Sequence, residues 1–163
     1  MIIFGLGLPR TGTNSLGKAL HLLNINGECK CILNNYNNQR EKTNNINYLK
    51  YIIYNDTFRD LDTILSNEII NENKFILTIR NNEDWLKSIE NFNELKELNQ
   101  ITYKNKIEKI FKDKKLENRL LIINLFEDDD EKIWKNLIKF LELDLEDYQY
   151  VIEEEFPKIN LNK

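Results

Sequence analysis

Short unbroken apolar runs alternate along this chain with longer stretches whose apolar residues recur at helical spacing. The first run, MIIFGLG, ends at its glycines and reads as a buried strand. Leu16, Ala19, Leu20 and Leu23 then share one face of a helix starting near Thr13. ECKCIL suggests a short second strand, and INYLKYIIYND fits a helix or a strand. TFRDLDTILSNEII has helical periodicity in Phe58, Leu61, Ile64, Leu65 and Ile69. KFILTIR, Lys74 to Arg80, is the clearest buried strand. A helix beginning near Glu83 follows it, with Trp85, Leu86, Ile89 and Phe92 as its apolar positions. NQITYKNKIEKIFKDKK predicts another amphipathic helix and RLLIINLFE another strand. DEKIWKNLIKFLEL predicts a helix burying Ile133, Trp134, Leu137, Ile138 and Leu141. The tail EEEFPKINLNK holds Pro157 and no helical stripe. Apolar strands alternating with amphipathic helices predict an α/β fold of three layers, a central parallel sheet flanked by helices. No internal repeat is visible, and one domain over residues 1–163 is expected.

Composition narrows the function classes. The chain is 41% hydrophobic and 31% charged, an ordinary soluble balance, and its net charge of -4 argues against a general nucleic-acid binder. It has no apolar run of membrane-spanning length. The opening MIIFGLGLPR lacks a basic region and runs straight into a glycine loop, unlike a signal peptide, so a cytoplasmic, reducing compartment is expected. Cys29 and Cys31 supply too few ligands for a structural zinc site and are read as free thiols. The asparagine-rich stretch ILNNYNNQREKTNNIN reads as a surface loop.

The candidate chemistry begins with GLPRTGTNSLGKAL, Gly7 to Leu20. A glycine-bearing turn between a strand and a helix points backbone N–H groups at one spot, and the helix dipole favours an anion there. Gly7 and Gly12 allow the tight turn, while Thr13, Asn14 and Ser15 add side-chain donors. A triphosphatase loop would place a Lys and a Ser or Thr where this chain has Thr13 and Asn14, so a magnesium–nucleotide reading is weakened and no metal is expected. Arg10 supplies the charge instead. The second candidate is RNNEDWLKS. Arg80 stands at the C-terminal edge of the clearest strand, where parallel sheets bind ligands. Ser88 follows on the next helix, and the pair forms a reasonable second oxyanion grip.

These stretches, with LLIINLFEDDDEKIWKNLIKFLEL and FPKIN in that order, resemble sulfotransferases that use 3'-phosphoadenosine 5'-phosphosulfate (PAPS), most closely the branch whose loop reads P-R-T-G-T. The resemblance implies that the loop, Pro9, Arg10, Thr11, Gly12, Thr13, Asn14 and Ser15, cradles the 5'-phosphosulfate without a metal. It implies that Arg80 and Ser88 hold the 3'-phosphate, with Lys158 of FPKIN near it. Arg10 stands where the family often has Lys and would act electrostatically. The family's general base falls just after a strand, which here is Asp56 in YNDTFRD, 24 residues before Arg80. Asp56 also suits the N-cap of the following helix. His21, on the first helix, is read as surface or packing, and Glu28 as a weaker base candidate. Trp85 and Trp134 are read as core, and EDDDEK as acidic residues complementing a helix dipole. The implied acceptor is a small molecule or glycan bearing a hydroxyl or amine, with no nucleic acid or membrane as partner. The rival readings are a non-catalytic nucleotide-binding module and a small nucleotide kinase or phosphatase.

Overall fold

A computed structural model describes residues 2–23, 50–53 and 65–159. Four strands, β1 (Ile2–Gly5), β2 (Lys50–Ile53), β3 (Lys74–Ile79) and β4 (Leu120–Asn124), form one parallel sheet in the order β2-β1-β3-β4. Register pairs Phe4 with Ile52 on one side of β1 and with Phe75 on the other, and Leu77 of β3 with Ile122 of β4. Six α-helices are described: α1 (Thr13–Leu22), α2 (Asn67–Glu72), α3 (Asn82–Ile89), α4 (Gln100–Asp113), α5 (Asp130–Phe140) and α6 (Gln149–Ile152).

The period of two along the strands sorts their side chains onto two faces. Ile3, Ile76 and Ile123 point to one face and pack with Leu16, Ala19 and Leu20 of α1, Trp134, Leu137 and Ile138 of α5, and Val151 and Ile152 of α6. Phe4, Phe75 and Leu77 point to the other face and meet Ile70 of α2 with Ile107 and Phe111 of α4. Phe75 stacks on Phe4 with ring centroids 5.2 Å apart and meets Phe111 edge-on, also at 5.2 Å. The expected three layers, a parallel sheet flanked by helices, are therefore present. The predicted stripes of α1 and α5 are buried, as are both tryptophans.

Some elements differ from the sequence reading. KYII of the ambiguous segment is strand β2. The helical pattern ending at Ile69 yields α2 from Asn67; residues 54–64 lie outside the described part, as do ECKCIL and both cysteines. On α3 only Trp85 and Ile89 are buried. Leu86 is exposed, and Phe92 lies beyond the helix end on the surface. Acidic residues do serve α5: Asp129 accepts the Lys132 N–H at 3.1 Å as N-cap, with Asp130 and Glu131 in the first turn. At the far end of β3, buried Lys74 bonds the Phe140 carbonyl and Glu142, tying the strand to the C-terminus of α5. Among the described residues no helix is long and apolar enough to cross a membrane.

Candidate anion site at the switch point

The strand order makes the C-terminal ends of β1 and β3 the switch point of this sheet. The chain leaves β1 for β2 on one side and returns to β3 on the other. Such a crevice is where parallel sheets bind ligands. Two segments rise there, the loop Leu6–Gly12 after β1 and Arg80–Asn81 after β3.

The loop is bonded on several sides. Thr11 Oγ1 donates to the Leu8 carbonyl at 2.7 Å and lies 2.8 Å from Thr78 Oγ1 on β3. The one Thr11 proton is used on Leu8, so Thr78 donates in that pair. Trp85 Nε1 of α3 donates to the Pro9 carbonyl at 2.9 Å, and Tyr103 of α4 donates its hydroxyl to the Leu6 carbonyl, also at 2.9 Å. Gly7 sits so close to β3 that a Cβ there would strike Thr78 Oγ1. Gly12 has φ of 95°, a left-handed value that glycine adopts cheaply, and a Cβ there would lie 2.5 Å from Leu125 Cδ1. Arg10 also has positive φ, 70°, and its guanidinium sits 5.6 Å from the centroid of the Phe92 ring.

Gly12 is the N-cap of α1 and provides no side-chain cap. The first helical bond closes from Leu16 N–H to the Gly12 carbonyl, so the N–H groups of Thr13, Asn14 and Ser15 have no intrahelical acceptor. The other described helices of eight residues or more use a side chain here: Asn81 caps α3, Asn99 caps α4 and Asp129 caps α5. At α1 the end is left to backbone donors and the dipole, an arrangement suited to an anion. Asn14 is exposed and Thr13 buried. Ser15 is fully buried, and its Oγ accepts the Ile159 N–H at 2.9 Å, so what it offers an anion is its backbone N–H.

Arg80 is clamped by its backbone. Gln100 Oε1 accepts the Arg80 N–H at 3.0 Å while Gln100 Nε2 donates to the Arg80 carbonyl at 2.8 Å. The guanidinium lies 4.1 Å from the centroid of the Phe126 ring. Its Nε is buried and has no hydrogen-bond partner among the described residues. An unbonded buried donor costs about 1–3 kcal/mol, a loss that an anion would relieve. Ser88 is half-buried and donates its hydroxyl to the Trp85 carbonyl at 2.6 Å.

Phe126 belongs to a turn built by its own side chains. Asn124 Oδ1 accepts the Phe126 N–H at 3.1 Å, and Asp128 accepts the Asn124 N–H at 3.0 Å. Lys132 donates to Asp128 at 2.8 Å, and that bond, with the Asn124 N–H, holds the Asp128 carboxyl below its usual range. Lys158 lies 3.0 Å from Asp130 in the first turn of α5. His21 is exposed in the last turn of α1. Asp56 and Glu28 lie outside the described residues.

Sequence reasoning named the loop, Arg80 and Ser88 but not Thr78, Gln100, Tyr103, Leu125 or Phe126, which hold them. Thr78 carried a usable signal, a hydroxyl inside an otherwise apolar strand. Gln100 carried none, since a glutamine opening an amphipathic helix reads as surface.

A family model described as a sulfotransferase domain matches residues 2–100, which include the loop, Arg80 and Ser88. No curated protein matches the chain. The matched span covers more than half of the 163 residues, and the chain belongs to the sulfotransferase domain family, a family of transferases.

Proposed function

We propose that this protein transfers a sulfuryl group from PAPS to a hydroxyl or amine acceptor, a small molecule or a glycan. The observation that carries the donor assignment is Arg80. Its buried Nε, unbonded among the described residues, stands at the end of the same strand to which Thr78 fastens the glycine loop. An anion at Arg80 and another at the uncapped start of α1 would both lie at the switch point, which suits a nucleotide carrying phosphates at two positions.

PAPS supplies an activated sulfuryl group on a phosphate leaving group. The residues of this chain bind and stabilise it. The N–H groups of Thr13, Asn14 and Ser15, with the loop residues Pro9, Thr11 and Gly12, form the 5' seat. Arg10, whose guanidinium lies against Phe92, would turn toward the seat and stabilise charge as it develops; a guanidinium stays protonated, so the contribution is electrostatic. Arg80 holds the 3'-phosphate, and Ser88 would turn its hydroxyl from the Trp85 carbonyl to join it. Lys158 enters as a cation that would leave Asp130 for the phosphate. Asp56, 24 residues before Arg80 in the sequence, is the base that takes the acceptor proton, and one domain spans residues 1–163.

Calorimetry with 3'-phosphoadenosine 5'-phosphate and with AMP tests the donor site. One charge-assisted hydrogen bond contributes about 1.5–3 kcal/mol, so the bisphosphate is expected to bind at least about tenfold more tightly. Equal affinities would remove the donor assignment. For the base, Asp56→Asn is expected to lower turnover by about 10²–10⁴ with nucleotide affinity unchanged. Wild-type turnover in that variant would end the assignment.

A further inference from the structure

We infer that Phe126 is a positioning residue for Arg80, holding its guanidinium flat so that its donors face a bound phosphate; this rests on the donor reading above. The backbone of Arg80 is fixed by the two hydrogen bonds from Gln100, but those bonds say nothing about the long side chain beyond it. An arginine side chain loses much rotamer freedom when ordered, and that loss weakens each bond it makes to a ligand. Phe126 removes the freedom in advance. Its ring lies 4.1 Å from the guanidinium carbon, within the range in which a cation is attracted to an aromatic face. Stacking consumes no N–H, and Nε has no hydrogen-bond partner among the described residues.

The ring is itself held. Phe126 is half-buried against the core on the α1–α5 side of the sheet, and its N–H is bonded to Asn124 Oδ1 at 3.1 Å. The residue before it, Leu125, is buried and sits where a Cβ on Gly12 would meet it at 2.5 Å. One short turn thus backs both proposed anion seats, Leu125 behind the loop glycine and Phe126 under the arginine. Phe126 lies outside residues 2–100, the span that the family model matches.

Two measurements on the full chain test it. In the ligand-free protein, the Hε resonance of Arg80 is expected to be shifted upfield by the ring and to show a rigid heteronuclear NOE. Phe126→Leu should move that resonance to the ordinary arginine position and lower the NOE, while Phe126→Tyr retains both. An unchanged resonance in Phe126→Leu overturns the inference whatever the ligand. In calorimetry, Phe126→Leu should cut the ratio of bisphosphate to AMP affinity at least about fivefold with AMP affinity preserved, matching the loss of a cation–π contact of about 1 kcal/mol. In an Arg80→Met background the same substitution should leave bisphosphate affinity unchanged. A further loss there would mean that Phe126 only supports the fold. A wild-type protein that does not discriminate bisphosphate from AMP would instead refute the donor reading, and the resonance would still decide the position of Arg80.

Discussion

A methyl group at Gly7 tests how closely the loop is held to β3. In Gly7→Ala the new Cβ would overlap Thr78 Oγ1, lie 2.7 Å from Thr11 Oγ1 and 3.0 Å from Thr13 Cγ2. All three neighbours are buried, so none can move into solvent. Relief requires Thr78 to rotate, which breaks the bond it donates to Thr11. Overpacking of about 1–3 kcal/mol and a lost hydrogen bond of about 0.5–1.5 kcal/mol add to an expected destabilisation of about 2–4 kcal/mol. Thr78→Ala alone loses the bond but removes the obstacle, and is expected to cost about 1–2 kcal/mol. In that background the methyl still crowds Thr11 and Thr13, so Gly7→Ala should cost only about 1–2 kcal/mol more. The double-mutant cycle therefore predicts a favourable coupling of about 1–2 kcal/mol. Urea unfolding followed by the fluorescence of the two buried tryptophans measures it, with the slope against urea required to stay constant. Equal costs of Gly7→Ala in both backgrounds, or a cost below about 0.5 kcal/mol in the wild type, would show that the loop is not held tightly against Thr78.

Further outcomes follow from other parts of the molecule. Trp85→Phe removes the bond to the Pro9 carbonyl and should destabilise by about 1–3 kcal/mol in the same urea assay while weakening bisphosphate binding. Lys115, with φ of 57° just past the end of α4, is exposed, and Lys115→Gly should raise stability by up to about 1 kcal/mol by relieving left-handed backbone strain. The Asp128 carboxyl is held low by Lys132 and by the Asn124 N–H, so its folded pKa lies below its unfolded one. Its contribution is complete above the unfolded value of about 3.9 and is lost as pH falls through the folded value, and Asp128→Asn should flatten that part of an acid titration of stability. Sulfuryl transfer should survive EDTA, because the loop lacks the Lys and Ser or Thr pair of a magnesium–triphosphate site; activity restored only by magnesium would favour a kinase.

The layers of this protein were legible because they depend on local periodicity. KFILTIR is apolar on both faces, and it became the strand buried between two helical layers. The stripes of α1 and α5 matched their buried faces for the same reason. The short β2 was ambiguous because its four residues carry no period that separates strand from helix. The loop and Arg80 were legible because glycine placement and a charge at a strand end are local facts. What holds them was not. The partners of Thr11, Pro9, Leu6 and Ser15 stand 67, 76, 97 and 144 residues away, and no window on the sequence joins such pairs. Phe126 falls within the apolar run RLLIINLFE that predicts a strand, but β4 ends at Asn124 and Phe126 sits in the turn beyond it, so its place under Arg80 is a property of the fold alone.

The distances along the chain between the loop and its partners also bear on how the molecule is assembled. A contact that closes a long stretch of chain pays the entropy of closure before it returns any bonding, so such contacts tend to form late. The glycine turn closes locally through Thr11 and Leu8, but its fixed orientation waits for β3, α3, α4 and finally Ile159. The scaffold is thus expected to consolidate before the anion site does. Substitutions at Tyr103 or Ser15 should then speed unfolding more than they slow folding, the kinetic mark of contacts absent from the transition state. A nucleotide that grips the loop would act on the same late step and lengthen the lifetime of the folded chain rather than hasten its formation.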